Sequence, residues 1–110
     1  MNDYRILVVD DEEDLCEILK FNLEMEGYIV DTANSAEEGL KLDLTSYNLL
    51  LLDVMMGEIS GFKMASTLQK NKDTAGIPLI FFTAKDTKPG HLTWSIYGSA
   101  AQSSLTLSTP

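Results

Sequence analysis

The stretch Tyr47-Asn-Leu-Leu-Leu-Leu-Asp-Val-Met-Met56 is an apolar run interrupted by one carboxylate, Asp53. An unbroken leucine run of this length is typical of a strand buried on both faces, as in a parallel sheet covered by helices. Ile6-Leu-Val-Val9 repeats the pattern, because it leads directly into Asp10 and Asp11. If the two strands are neighbours in one parallel sheet, spaced by roughly 5 Å, the three carboxylates meet in a crevice outside their carboxyl ends. Open α/β folds bind ligands in that crevice.

Strand-like and helix-like patterns alternate through residues 5–88. In order, we predict strands at 5–9, 28–33, 49–52 and 77–82, connected by helices that start near Glu12, Ser35 and Phe62. The capping-box spacing of Ser35 and Glu38 indicates the second helix, in which we place Leu40, Leu42 and Leu44. This order is typical of an α/β protein with right-handed crossovers in a doubly wound parallel sheet.

Composition limits the classes of partner. The chain has 110 residues, 45% of them hydrophobic and 23% charged, which fits one globular domain. Its net charge of -9 argues against direct binding of nucleic acid or of an anionic membrane surface, since both are polyanions. The single cysteine, Cys16, fits a reducing compartment, and no signal peptide or membrane-spanning run is recognisable. We therefore expect a cytoplasmic protein that contacts neither nucleic acid nor membrane directly.

The composition changes after Lys88. Residues 89–110 contain no Asp, Glu, Lys or Arg, and eight of these 22 residues are Ser or Thr. We therefore divide the chain into a coherent domain, 1–88, and an atypical tail, 89–110. We hypothesise that the tail replaces the last third of the domain. Reading the encoding DNA in all frames past residue 88 tests this hypothesis, which fails if no continuation of the domain is found.

The fourth predicted strand would be an apolar sheet edge if no further strand followed it, which favours pairing with another strand. Ser104–Ser108 alternates like a half-buried strand. We expect that either this segment covers the edge or a second chain does, giving a homodimer through the strand-four edge or through exchange of the tail.

Three motifs together resemble the receiver domain of response regulators from bacterial two-component systems. They are Ile6-Leu-Val-Val-Asp-Asp-Glu12, Leu51-Leu-Asp-Val-Met-Met56 and Phe82-Thr-Ala-Lys-Asp86. The resemblance covers about residues 3–88. It implies a flavodoxin-like fold with sheet order 2-1-3-4, in which strand five is missing or replaced. It also implies phosphorelay signal transduction, with a sensor histidine kinase or a phosphotransfer protein as partner.

The resemblance assigns a role to each matching residue. Asp53 would accept the phosphoryl group and Thr83 would supply the switch hydroxyl. Asp11 would bind Mg²⁺ directly, Asp10 would support the ion through water, and Met55 would offer its backbone carbonyl. Elementary chemistry agrees, because clustered carboxylates repel one another and a hard divalent cation relieves that repulsion. Such a protein takes up phosphate stoichiometrically and is not classed as an enzyme.

Two other functions are open. Receivers carry a Lys-Pro pair at the end of a fifth strand, and here that region holds Leu105 and Thr106. Without the lysine, the chain could be a receiver-like binding module that does not switch. A phosphatase with an aspartate nucleophile is disfavoured, because such enzymes need a second acid two residues after the nucleophile, where this chain has Met55.

Overall fold

The computed structural model describes the backbone and side chains of residues 4–54 and 61–82, and the backbone of 83–88, 91–97 and 102–108. The strands are β1 (Arg5–Val9), β2 (Ile29–Ala33), β3 (Leu49–Asp53), β4 (Leu79–Lys88), β5 (His91–Tyr97) and β6 (Gln102–Ser108). The helices are α1 (Glu13–Met25), α2 (Ala36–Leu40) and α3 (Gly61–Gln69), with a short 3₁₀ turn at Leu44–Ser46.

The six strands form one sheet in the order β2-β1-β3-β4-β5-β6. The first four are parallel, which confirms the predicted α/β fold and the order 2-1-3-4. The last two are antiparallel additions at the edge next to β4. Among the described residues, no helix combines the length and the apolar character needed to span a membrane.

The sheet is covered on both faces, as the leucine run predicts. On one face, Ile6 and Val8 pack with Cys16 and Leu19 of α1. On the other face, Leu7, Val9, Leu50 and Leu52 pack with residues of α2 and α3. Successive residues of β1 therefore enter opposite halves of the core, because side chains alternate along a strand. This burial holds β1 and β3 rigidly below the ends at which the acidic residues lie.

Two local features fix helix ends, and the first of them, the cap of α2, is as predicted. The Ser35 hydroxyl accepts a hydrogen bond from the Glu38 amide at 2.9 Å, which caps α2. Gly27 follows α1 with a φ of 94°, a left-handed conformation that glycine adopts without strain. The placement of Leu42 and Leu44 in the second helix is wrong, because α2 ends at Leu40. The Lys41 and Leu42 amides bond to carbonyls three residues back, which tightens the last turn and ends the helix.

The prediction that Ser104–Ser108 or a second chain covers the strand-four edge is also wrong. β5 covers it, and the Ser104–Ser108 segment lies one strand further out in β6. Only residues 89 and 90 separate β4 from β5, and so short a connection favours antiparallel pairing of consecutive strands. β4 is longer than predicted because β5 pairs with it as far as Lys88, whereas β3 pairs with it only to Phe82. Because β5 occupies that edge, the homodimer stays a prediction through exchange of the tail.

Candidate metal centre

Three carboxylates gather at one end of the sheet. β1 and β3 are parallel neighbours in the register Val9 to Leu52, so the next residues along each strand, Asp10 and Asp53, come side by side. Asp11 follows in the turn that leads to α1. One carboxylate oxygen from each of Asp10, Asp11 and Asp53 lies within 4.8 Å of the others. The structure thus brings together the three acidic residues that the sequence placed at the crevice.

Asp10 is the most deeply buried of the three, with 0% of its surface exposed. Its Oδ1 accepts a hydrogen bond from the Glu12 amide at 2.9 Å. Its Oδ2 is buried and has no hydrogen-bond partner among the residues that the structure describes. Burial raises the pKa of Asp10 to about 8; the Glu12 amide opposes this rise, and the negative charges of Asp53 and Asp11 add to it. The site therefore disfavours the charged carboxylate unless a cation joins it.

The main chain of Asp10 is also fixed. Its amide donates to the Ala33 carbonyl at 3.0 Å. Its carbonyl accepts from the Cys16 thiol at 3.4 Å and from the Asn34 side-chain amide at 3.4 Å. The sequence analysis considered Cys16 only as the single cysteine of the chain, and the sequence held no signal for Asn34. These contacts join the ends of β1 and β2 to α1, and so they orient the most buried acid of the crevice.

Asp53 and Asp11 differ in exposure. Asp53 is 8% exposed, whereas Asp11 is exposed to solvent. The peptide after Asp53 is held by the sheet, since the Val54 amide donates to the Phe82 carbonyl at 2.9 Å. The crevice is therefore closed below by the core and open towards Asp11, an arrangement that leaves a path for an ion or a phosphate group.

The two remaining predicted residues are placed only in part. The backbone of Thr83 lies in β4, one residue past Phe82, which is the register partner of Asp53. It pairs with Ser95 of β5, while the side chain of Thr83 lies outside the described side chains. Met55 lies outside the described residues altogether. The roles of Thr83 as switch hydroxyl and of Met55 as carbonyl ligand stay predictions.

The crevice fits a small, hard divalent cation. All three clustered ligand atoms are carboxylate oxygens, which suit Mg²⁺, Ca²⁺ or Mn²⁺ rather than metals that prefer nitrogen or sulfur. Mg²⁺ in particular is bound through one or two carboxylates, several waters and a phosphate. The buried Oδ2 of Asp10, which has no partner among the described residues, can accept a hydrogen bond from one of those waters. Asp10, Asp11 and Asp53 are therefore the described residues that would hold Mg²⁺.

A family model described as the response regulator receiver domain matches residues 6–98, which is most of the chain. The chain belongs to the response regulator receiver family. Over 83 residues the receiver is 42% identical to the alkaline phosphatase synthesis transcriptional regulatory protein PhoP of Bacillus subtilis. That match covers 74% of the receiver and 34% of PhoP. The chain thus spans about a third of the length of the curated relatives it matches.

Solved structures agree with the family assignment. The N-terminal domain of a response regulator receiver protein from Methanoculleus marisnigri is 38% identical, with a TM-score of 0.70. The match covers 78% of the receiver and 71% of that chain. The response regulator protein TrrA from Thermotoga maritima, in complex with Mg(2+)-BeF, is 47% identical with a TM-score of 0.58. This match covers 61% of the receiver and 59% of the TrrA chain. Both resemble the receiver in fold and in sequence.

Proposed function

We propose that this receiver accepts a phosphoryl group on Asp53, with Mg²⁺, and thereby changes a protein-interaction surface. The observation that carries the proposal is the cluster of three carboxylates at the ends of β1 and β3, one of which holds a buried oxygen without a described partner. Response regulators as a class interact with histidine kinases or phosphotransfer proteins. The phosphoryl donor we propose is the phosphohistidine of such a partner.

The proposed reaction uses the Asp53 carboxylate as nucleophile. One of its oxygens bonds to phosphorus as the bond from phosphorus to the donor nitrogen breaks, and the imidazole leaves with the electron pair. Asp10 and Asp11, together with the Met55 carbonyl, would hold Mg²⁺. The ion would supply positive charge to neutralise the phosphoryl oxygens and the carboxylates. The bond from the Val54 amide to the Phe82 carbonyl keeps the nucleophile anchored to the sheet.

The proposed output runs through β4. We assign the Thr83 hydroxyl to the phosphoryl oxygen, because its backbone follows the register partner of Asp53. A shift of Thr83 towards the phosphoryl group would move the backbone of β4, with which β5 pairs. The surface that a partner contacts would change with it. One phosphate per chain is taken up, so the receiver is a stoichiometric acceptor rather than an enzyme. The cytoplasm is the compartment we propose, since the lone cysteine, Cys16, is free.

A second function is favoured by one observation, the lack of any lysine after residue 88. A lysine ammonium beside the phosphoryl group would neutralise charge in the transition state. Without it, the domain would bind Mg²⁺ or a partner and would not be phosphorylated productively. The two functions differ in one measurable quantity, the phosphate bound per chain.

Intact mass spectrometry after incubation with acetyl phosphate and Mg²⁺ tests the proposal. We expect a gain of one phosphoryl group per chain, which disappears in Asp53→Asn and when Mg²⁺ is chelated. Asp11→Asn should slow the gain, because it removes a ligand of the ion. Glu37→Gln is the matched control, since Glu37 is an exposed acid of α2 outside the crevice. It should behave as the wild type does.

Three results would contradict the proposal. A gain of mass that survives Asp53→Asn would place the phosphate on another residue. No gain, with Mg²⁺ binding intact by calorimetry, would favour the binding module. Continuous release of phosphate beyond one equivalent per chain would indicate a phosphatase.

A further inference from the structure

Gly61 makes an unusually close approach to the acceptor strand. It is the first residue of α3 and it is buried. A Cβ atom added to Gly61 would lie 2.9 Å from the carbonyl carbon of Asp53, closer still to the carbonyl oxygen, and 3.3 Å from the Leu52 Cβ. The atoms it would meet are mainly backbone, which cannot rotate away as a flexible side chain can. The side chain of any residue other than glycine would therefore push α3 away from the Asp53 peptide.

The reason for glycine at this position is space rather than conformation. Among the glycines that the structure describes, Gly27 has a positive φ and Gly61 does not. Alanine would fit the backbone angles of Gly61 and would favour the helix. Gly61→Ala thus changes the distance to Asp53 without adding backbone strain.

The peptide that Gly61 touches is the one that joins Asp53 to Val54. Its N–H donates to the Phe82 carbonyl of β4 at 2.9 Å. The carbonyl of the following residue, Val54, accepts a hydrogen bond from the Gly61 amide at 3.3 Å. The acceptor end of β3 is therefore held between β4 on one side and the first residue of α3 on the other.

We infer that Gly61 is a positioning residue for the phosphoacceptor: the lack of a side chain lets α3 hold the Asp53 peptide where its carboxylate faces Asp10 and Asp11. The inference rests on the proposed function, in which these three carboxylates hold Mg²⁺. Their ligand atoms lie within 4.8 Å of one another, so a small shift of Asp53 changes the geometry of the whole set. A misplacement of about 1 Å in a reacting group can cost about 100-fold in rate.

The first test is Mg²⁺ binding by calorimetry, with the rate of phosphorylation by acetyl phosphate measured beside it. We expect Gly61→Ala to raise the dissociation constant for Mg²⁺ by about tenfold or more, the usual effect of disturbing groups that orient metal ligands. The phosphorylation rate should stay below that of the wild type even at saturating Mg²⁺, because the nucleophile itself is displaced.

Gly39→Ala is the matched control. A Cβ on Gly39 would meet the Met64 Cε at 3.2 Å and the Val9 Cγ2 at 3.4 Å, so it presses on the core and not on the acceptor peptide. We expect Gly39→Ala to change stability and to leave the Mg²⁺ dissociation constant unchanged. If the two variants lose Mg²⁺ affinity equally, Gly61 has only a structural role and the inference is wrong.

A second measurement does not depend on metal. Hydrogen exchange at the Val54 amide reports on the bond to Phe82, and the Leu50 amide, which donates to the Pro78 carbonyl at 3.1 Å, is the reference in the same strand. Gly61→Ala should speed exchange at Val54 by at least about tenfold relative to Leu50. An unchanged ratio would overturn the inference. If the wild type binds no Mg²⁺, the proposed function fails and this ratio still decides the role of Gly61.

The exchange test can also be made in a protein that is stabilised by a second substitution. If Gly61→Ala alone does not fold, the double variant Asp10→Asn/Gly61→Ala is used, because the neutral amide relieves charge repulsion in the crevice. The comparison is then with Asp10→Asn alone. Faster exchange at Val54 in the double variant supports the inference, and equal exchange overturns it.

Discussion

Asp10 is completely buried and has negatively charged neighbours. Its carboxylate therefore destabilises the folded protein in the absence of a cation. Its exposed fraction is 0%, and its Oδ2 has no hydrogen-bond partner in the described part of the chain. We predict that Asp10→Asn raises the free energy of unfolding of the metal-free protein by about 1–2 kcal/mol, the usual gain when an unfavourable functional group is neutralised. The asparagine Oδ1 can still accept the Glu12 amide. Urea denaturation in the presence of a chelator measures the change.

The same substitution should remove the response to Mg²⁺. A ligand that binds only the folded state stabilises it in proportion to the logarithm of its concentration, by about 2.7 kcal/mol at 100 times the dissociation constant. The wild type should therefore gain stability as Mg²⁺ is added, and Asp10→Asn should gain little. Equal gains in both proteins would show that Asp10 takes no part in the metal site.

Cys16 reports on opening of the fold next to the crevice. Its side chain is 1% exposed. Burial raises the pKa of the Cys16 thiol to about 12, and the negative charge of Asp10 adds to the effect. Because the thiolate is the reactive form, we predict that a disulfide reagent at about pH 8 modifies native Cys16 at least about 1,000-fold more slowly than the unfolded chain. The rate of modification, followed by the absorbance of the released thiol with and without urea, checks this prediction. Rapid labelling of the native protein would contradict the burial.

Among the helices, α2 depends most on its cap. It has five residues, too few to be stable by propensity alone, and Ser35 supplies the side-chain acceptor for the Glu38 amide. We predict that Ser35→Ala lowers the free energy of unfolding by about 1 kcal/mol. Ser35→Asp should restore most of this loss, since aspartate is also a good N-cap. Thermal unfolding by circular dichroism compares the three proteins, and equal midpoints would contradict a stabilising cap.

The strands and the acidic residues at their ends could be predicted from local sequence patterns. The contacts that hold those acidic residues in place could not. The runs Ile6–Val9 and Leu49–Leu52 are strongly apolar, so their burial and their pairing in one sheet follow from composition and order. Gly61 lies just before the predicted start of the third helix near Phe62, and the sequence held no signal for its role. Its close approach to Asp53 depends on how α3 meets β3, which no local pattern reports. The bonds of Cys16 and Asn34 to the Asp10 carbonyl are likewise products of tertiary packing.

The far edge of the sheet is where the sequence prediction was least complete. Residues 89–110 lack charged residues, and nothing in the stretch indicates which strands pair with one another. The alternation of Ser104–Ser108 correctly predicted a strand. The strand that pairs with β4, His91–Tyr97, was missed although its first six residues alternate polar and apolar in the same way. Its place in the sheet follows from the short connection to β4, which favours antiparallel pairing of consecutive strands.

The role of the β5–β6 hairpin in protecting the outer edge of β4 can be tested by ending the chain at Lys88. The shortened chain would expose the outer edge of β4, including its apolar run Leu79–Phe82, and an exposed edge of this kind pairs with another strand. We predict that the shortened chain associates more strongly than the full chain, as measured by light scattering at equal concentration. Because residues 89–110 carry no charged side chain, the shortened chain keeps the net charge of -9. Association should therefore strengthen as salt screens the repulsion between copies.

Proline at Thr83 is the control for that experiment. The Phe82 carbonyl accepts from Val54 after β3, and backbone groups alternate in direction along a strand, so the Thr83 N–H points to the edge that β5 covers. A proline there removes a donor from the exposed edge and spares the parallel sheet, whose last register partner in β4 is Phe82. The shortened chain with Thr83→Pro should be monomeric at every salt concentration. If the shortened chain without the proline is also monomeric while its circular dichroism shows a folded protein, the hairpin is not needed to protect β4. Pairing between receivers would then have to use a different surface.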